Sequence, residues 1–86
     1  MDKTATYTVW AKKDCPYCQK ARLFMLENSL RHKIYFVDEN PVLLNEKKNK
    51  YEWDTVPIIV QEFEGKETLI GGYTDLLAYA GETSFD

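Results

Sequence analysis

Cys15-Pro16-Tyr17-Cys18 sets two thiols three positions apart, just after an apolar run and just before a helical pattern. Residues three apart share one face of a helix, so both sulfurs can approach each other at a first turn. That spacing suits a disulfide that opens and closes, or half of a metal site. Pro16 fits the first turn of a helix, where its missing N–H costs nothing. Cys15 then falls at or next to the N-cap, where unpaired backbone N–H groups and the helix dipole favour an anion. A thiolate is that anion, and it is the reactive form of a thiol.

Working outward, Thr6–Ala11 is rich in β-branched and aromatic residues and predicts a strand before the motif. A helix is predicted from Pro16 to about Glu27, with Ala21, Phe24 and Met25 on one face. Residues 33–37 predict a second strand. Pro41 opens a second helix that runs to about Tyr51, with Val42, Leu43 and Leu44 as its apolar part. Residues 58–60 and 68–70 read as two strands joined by the turn Glu64-Gly65-Lys66. Gly71-Gly72 breaks the last strand, Thr74 or Asp75 caps a final helix, and Gly81 can end it. The order β-α-β-α-β-β-α predicts an α/β fold. Its first two strands pair in parallel through a right-handed crossover, and its last two form an antiparallel hairpin.

At 86 residues the chain is read as one domain spanning 1–86. Hydrophobic residues make up 44% of it and aromatic residues 14%, which is ample for a packed core. The net charge is −3 with no basic stripe, so nucleic-acid binding is not expected. Only two cysteines are present, both in the motif, so a disulfide scaffold is not indicated. Met1-Asp2-Lys3-Thr4 lacks the apolar centre of a signal peptide, and no apolar run approaches a membrane span. A cytoplasmic protein is expected, in which a Cys pair is catalytic or metal-binding rather than structural. His32 is the only histidine, so one chain cannot complete the usual four-ligand zinc set.

Three separated pieces, Cys15-Pro16-Tyr17-Cys18, Thr55-Val56-Pro57 and Gly71-Gly72-Tyr73-Thr74-Asp75, together resemble the dithiol glutaredoxins of the CPYC type. Lys12, three residues before Cys15, matches as well, and the resemblance covers nearly the whole chain. It implies a thioredoxin-like fold: a four-stranded mixed sheet in the order 2-1-3-4, with two helices on one face and one on the other. It implies an enzyme that reduces glutathione mixed disulfides and protein disulfides, with glutathione as co-substrate and no metal. The partners it suggests are glutathione and glutathionylated or disulfide-containing proteins, ribonucleotide reductase among them, with the enzyme itself a monomer.

Carried over residue by residue, the resemblance makes Cys15 the nucleophile and Cys18 the resolving thiol. Tyr17 shapes the site, and Lys12 stabilises the thiolate or a substrate carboxylate. Thr55, Val56 and Pro57 form a cis-proline loop whose Val56 backbone pairs with the cysteine portion of glutathione. Gly72 leaves room for the ligand. Thr74 and Asp75 open a helix whose N–H groups hold the γ-glutamyl carboxylate, while the Asp75 side chain meets the ligand's amino group. Asp14, directly before the nucleophile, departs from favourable electrostatics and opposes thiolate formation. Trp10 is expected as core beneath the motif, and Lys47, Lys48 and Lys50 as a solvated face. Two other readings stand beside this one: a hydrogen donor reduced by thioredoxin reductase, and a scaffold holding a metal or iron–sulfur cluster. The Gly71–Asp75 stretch argues against the first, and the proline inside the motif against the second.

Overall fold

β1 (Thr6–Ala11) sends alternate side chains into two apolar layers, and the rest of the sheet is built outward from it. The computed structural model describes residues 4–82, so Met1 to Lys3, read above for a leader, lie outside the described residues. After β1 come α1 (Pro16–Glu27), β2 (Arg31–Phe36), α2 (Pro41–Tyr51), β3 (Ile58–Phe63), β4 (Lys66–Gly71) and α3 (Tyr73–Glu82). The four strands form one sheet in the order β2-β1-β3-β4. β1 pairs with β2 in parallel and with β3 antiparallel, and β3 pairs with β4 antiparallel. The predicted mixed sheet and its strand order are thus present.

Strand pleating sorts the core. Tyr7, Val9 and Ala11 of β1 and Ile59 of β3 pack with Cys18, Ala21 and Met25 of α1 and Leu76 of α3. On the opposite face Trp10, Ile58 and Val60 pack with Val37 and with Leu44 of α2. Two helices therefore cover one face and one covers the other. Trp10 is core, but it lies on the α2 face rather than on the face that carries the cysteine helix. There it packs between Tyr35 and Tyr51, with ring centroids 6.1 and 5.7 Å away. Lys47 and Lys50 are also more than solvated charges. Their ammonium groups lie 4.9 Å from the Trp10 ring and 5.1 Å from the Tyr51 ring. Tyr51 donates to Glu67 over 2.6 Å, fastening α2 to β4. That hydrogen bond, aided by the Lys50 charge, holds Glu67 below the usual carboxylate range.

Several boundaries differ from the sequence reading. β2 starts two residues earlier, at Arg31, because Arg31 and His32 pair with Thr6 and Tyr7 along the full length of β1. It ends at Phe36, with Val37 N–H still bonded to the Ala11 carbonyl at 2.8 Å. The β3–β4 hairpin is longer than residues 58–60 and 68–70. Apart from Phe63, its outer rungs are polar residues held by backbone pairing, which an apolar pattern does not register. Glu64 and Gly65 both have positive φ, 52° and 79°, and make the two-residue turn whose twist suits a hairpin. Val42 is 68% exposed, so of the three apolar residues expected at the start of α2 only Leu43 and Leu44 face the core. α3 begins at Tyr73, ahead of Thr74 and Asp75, and continues through Gly81 to Glu82. Among the described residues, no helix is long and apolar enough to cross a membrane.

Candidate functional site

The sulfur of Cys15 caps α1. Cys15 has an extended backbone (φ −134°, ψ 106°), Pro16 occupies the first turn, and the Cys18 N–H donates to Cys15 Sγ over 3.2 Å. Cys15 and Cys18 are joined in a disulfide with their Cα atoms 5.1 Å apart. Cys15 is half-buried, whereas Cys18 is 4% exposed and belongs to the core. The spacing brings the two sulfurs together, as expected, and the difference in exposure arises because Cys15 is the N-cap while Cys18 lies one turn inside the helix. The loop leading to Cys15 is tied at two points. Lys13 N–H donates to both carboxylate oxygens of Asp38, at 3.0 and 3.1 Å, and Gln19 donates to the Lys13 carbonyl at 3.2 Å. Asp14 is exposed in that loop.

The peptide bond between Val56 and Pro57 is cis. It brings the Val56 carbonyl oxygen to 4.0 Å from Cys15 Sγ, although the two residues are 41 positions apart in sequence. Beyond β4, Gly71 (φ 116°) turns the chain into α3, and the Gly72 carbonyl accepts the first helical N–H, from Leu76, at 3.0 Å. Gly72 is therefore the N-cap, and Asp75 is the third helical residue. The Asp75 carboxylate reaches back to the Gly72 N–H at 2.9 Å, which is one half of a capping box. The sequence reading put the cap itself at Thr74 or Asp75. A glycine with no side-chain oxygen conceals a cap of this kind.

Around these pieces lies a groove of about 460 Å³, lined by Tyr17, Thr55, Val56, Pro57, Gly72, Thr74 and Asp75, together with Trp53 and Tyr73. Seven of the eight residues expected to bind substrate thus line one surface beside Cys15. The eighth, Lys12, lines a neighbouring groove on the Cys18 side. Trp53 is the residue that sequence reasoning missed. Its signal is a lone large aromatic in the polar stretch Glu52-Trp53-Asp54-Thr55. The end of α2 sets its place: Glu52 is left-handed, and Trp53 N–H bonds back to the Lys48 carbonyl at 3.0 Å. The Trp53 indole N–H is buried with no acceptor among the described residues. Tyr73, 6.2 Å from Tyr17 between ring centroids, closes the aromatic wall. Among the described residues, no group of three His, Cys, Asp or Glu side chains is placed to hold a metal ion.

The family model described as Glutaredoxin matches residues 7–64. Among solved structures, a dithiolic glutaredoxin from Trypanosoma brucei brucei is 29% identical with a TM-score of 0.74, over 93% of this chain and 81% of that one. The buckwheat glutaredoxin–glutathione complex is 18% identical with a TM-score of 0.76, over 93% of this chain and 72% of that one. Glutaredoxin 1 from Francisella tularensis, solved with cacodylate, is 24% identical with a TM-score of 0.66, over 91% of this chain and 94% of that one. No curated protein sequence matches this chain. The fold is thioredoxin-like, in agreement with these neighbours.

The geometry at Gly71 yields a test. A Cβ there would sit 2.9 Å from Asp75 Cγ, on a backbone with φ +116°. Gly71→Ala is expected to lower unfolding stability by about 1–3 kcal/mol. Gly65→Ala, whose Cβ meets nothing within 4 Å, is expected to lower it less. Urea denaturation of both variants measures the difference.

Proposed function

The chain belongs to the glutaredoxin family, and on that footing we propose that it is a glutathione-dependent thiol–disulfide oxidoreductase, acting on glutathione mixed disulfides and on protein disulfides. One observation carries the reading. The half-buried sulfur of Cys15 lies 4.0 Å from the Val56 carbonyl, beside a groove that combines a cis-proline loop with the start of a ten-residue helix. The groove offers the chemistry a γ-glutamyl tripeptide needs. Val56 presents backbone N–H and C=O to the cysteinyl unit, like a strand added at an edge. The N–H groups at the start of α3 suit the γ-glutamyl carboxylate. A carboxylate has room for several donors, so Asp75 serves the Gly72 N–H and the ligand's ammonium together.

The reaction has two exchanges. The Cys15 thiolate attacks the glutathione sulfur of a mixed disulfide; a new Cys15–glutathione bond forms, and the substrate leaves as a thiolate that takes up a proton. A second glutathione thiolate then attacks the glutathione sulfur held on Cys15, releasing glutathione disulfide and restoring the Cys15 thiolate. In the dithiol branch the Cys15 thiolate attacks a protein disulfide and one substrate sulfur leaves as a thiolate; Cys18 then attacks Cys15, forming the Cys15–Cys18 disulfide and releasing the second substrate thiol, and two glutathiones reduce that disulfide and leave as glutathione disulfide. The α1 N-terminus favours the Cys15 anion as nucleophile and as leaving group.

Cys15→Ser is expected to abolish exchange on every substrate. Cys18→Ser is expected to keep turnover of glutathionylated 2-mercaptoethanol while losing most reduction of protein disulfides. A Cys15→Ser protein that stayed active would reverse the assignment. Asp75→Asn keeps an oxygen for Gly72 N–H but removes the charge that meets the ammonium. Its loss of roughly 1.5–3 kcal/mol is expected chiefly as a higher KM for the glutathionylated substrate, with kcat little changed. Reaction of Cys15 with iodoacetamide, which has no γ-glutamyl group, is expected to stay the same.

A further inference from the structure

A second groove, of about 380 Å³, lies on the other side of the disulfide. The first groove lies between the loop that leads into β3 and the start of α3 after β4. The second runs between α1 and the edge strand β2. Its floor is Leu23 and Leu26 of α1 with Ile34 and Phe36 of β2. Leu23, Leu26 and Phe36 are 55%, 54% and 50% exposed, so adjacent large apolar side chains are left in water. The cause lies in the strand order: β2 has a partner on one side only, and α3 lies alongside α1 over the opposite half of the sheet.

The rim of this groove is cationic. Lys12, Lys13 and Arg22 line it, and among the described residues no carboxylate does. The nearby Asp38 carboxylate receives the Lys13 backbone N–H. This local surface is opposite in sign to the chain's net charge of −3. Cys18 also lines the groove, so whatever fills it ends at the redox pair. From Cys18 to Leu26 a helix rises about 12 Å, the span of about four extended residues.

We propose that this groove is a docking surface for protein substrates: it takes an extended, acidic and apolar segment that flanks the substrate's reacting cysteine. The segment's apolar side chains cover Leu23, Leu26 and Phe36, and its carboxylates meet Lys12, Lys13 and Arg22. Glutathione and the protein partner then approach the disulfide from opposite sides. The proposal rests on the thiol–disulfide reading above for its purpose, though the docking itself is measurable without any turnover. It distinguishes substrates by charge pattern, since a basic flanking segment would meet like charge.

The test uses two fluorescent peptides that carry serine in place of the reacting cysteine, one flanked by leucine and glutamate, the other by leucine and lysine. Their binding to the full chain is followed by anisotropy. The acidic peptide is expected to bind more tightly than the basic one and to weaken with added salt. Arg22→Glu is expected to weaken the acidic peptide about tenfold and to strengthen the basic one. Leu26→Gln is expected to weaken both. Neither variant should alter turnover of glutathionylated 2-mercaptoethanol, which has no flanking segment. Equal binding of the two peptides, or binding indifferent to Arg22→Glu, would overturn the proposal. So would sedimentation showing a self-associated protein that Leu26→Gln makes monomeric, because a second copy would then cover the groove. Charge-selective binding by a protein that never turns over the small disulfide would uphold the docking surface and overturn the catalytic reading instead.

Discussion

The contact on which the site depends is the hydrogen bond from Cys18 N–H to Cys15 Sγ, 3.2 Å long, at the start of α1. A helix begins with N–H groups that lack partners, and a sulfur here takes the place usually held by a serine or aspartate oxygen. The same bond starts the helix, and a donor in that place would favour a negative sulfur once the disulfide is reduced. It also fixes the inequality of the pair. The capping residue lies outside the helical turn and half in solvent, while the residue one turn on must face the sheet. Pro16 supports this arrangement without sacrificing a hydrogen bond, since its position has none to lose.

The sheet supplies the rest. Because β1 is flanked by β2 on one side and β3 on the other, its C-terminal end delivers the cysteines to a point between two halves of the molecule. One half carries the cis-proline loop and the start of α3. The other carries an uncovered strand edge and a cationic rim. A buried polar chain holds the first half together: Gln61 of β3 donates to the Tyr7 hydroxyl at 3.1 Å and accepts from the Tyr79 hydroxyl at 3.2 Å. It links β1, β3 and α3 through polar side chains, and such a link is strengthened where little water competes for it. The α2 face has its own fastening, through Tyr51 and Glu67, which leaves the end of α2 well placed to aim Trp53 into the groove.

Much of this was legible in the sequence, for identifiable reasons. The order of elements and the start of α1 follow from strong local signals: the run at Thr6–Ala11, the prolines at 16 and 41, and the glycines near the hairpin. The closeness of Cys15 and Cys18 follows from helical periodicity, and their inequality from Cys15 lying at the cap. What the sequence obscured was governed by partners far along the chain. Polar rungs such as Gln61–Thr68 belong to a strand because of the strand beside them. The side of the sheet taken by Trp10 is set by the register of β1 against both neighbours. The cap of α3 escaped because Gly72 provides it with backbone alone, while Asp75 serves it from three residues away. Lys12 and Trp53 show the same limit at the site. Which groove a side chain lines is decided by the packing of loops, and neither residue carries a local pattern that says so.

The central claim is that the cap of α1 makes Cys15, and not Cys18, the reactive thiolate. Labelling the reduced protein with limiting iodoacetamide across a pH series, and identifying the modified residue by peptide mapping, addresses it directly. The account predicts that Cys15 is labelled first and that its labelling rate rises with a midpoint below the ~8.5 of a free thiol. Preferential labelling of Cys18, or a Cys15 midpoint at or above that of a free thiol, would contradict it.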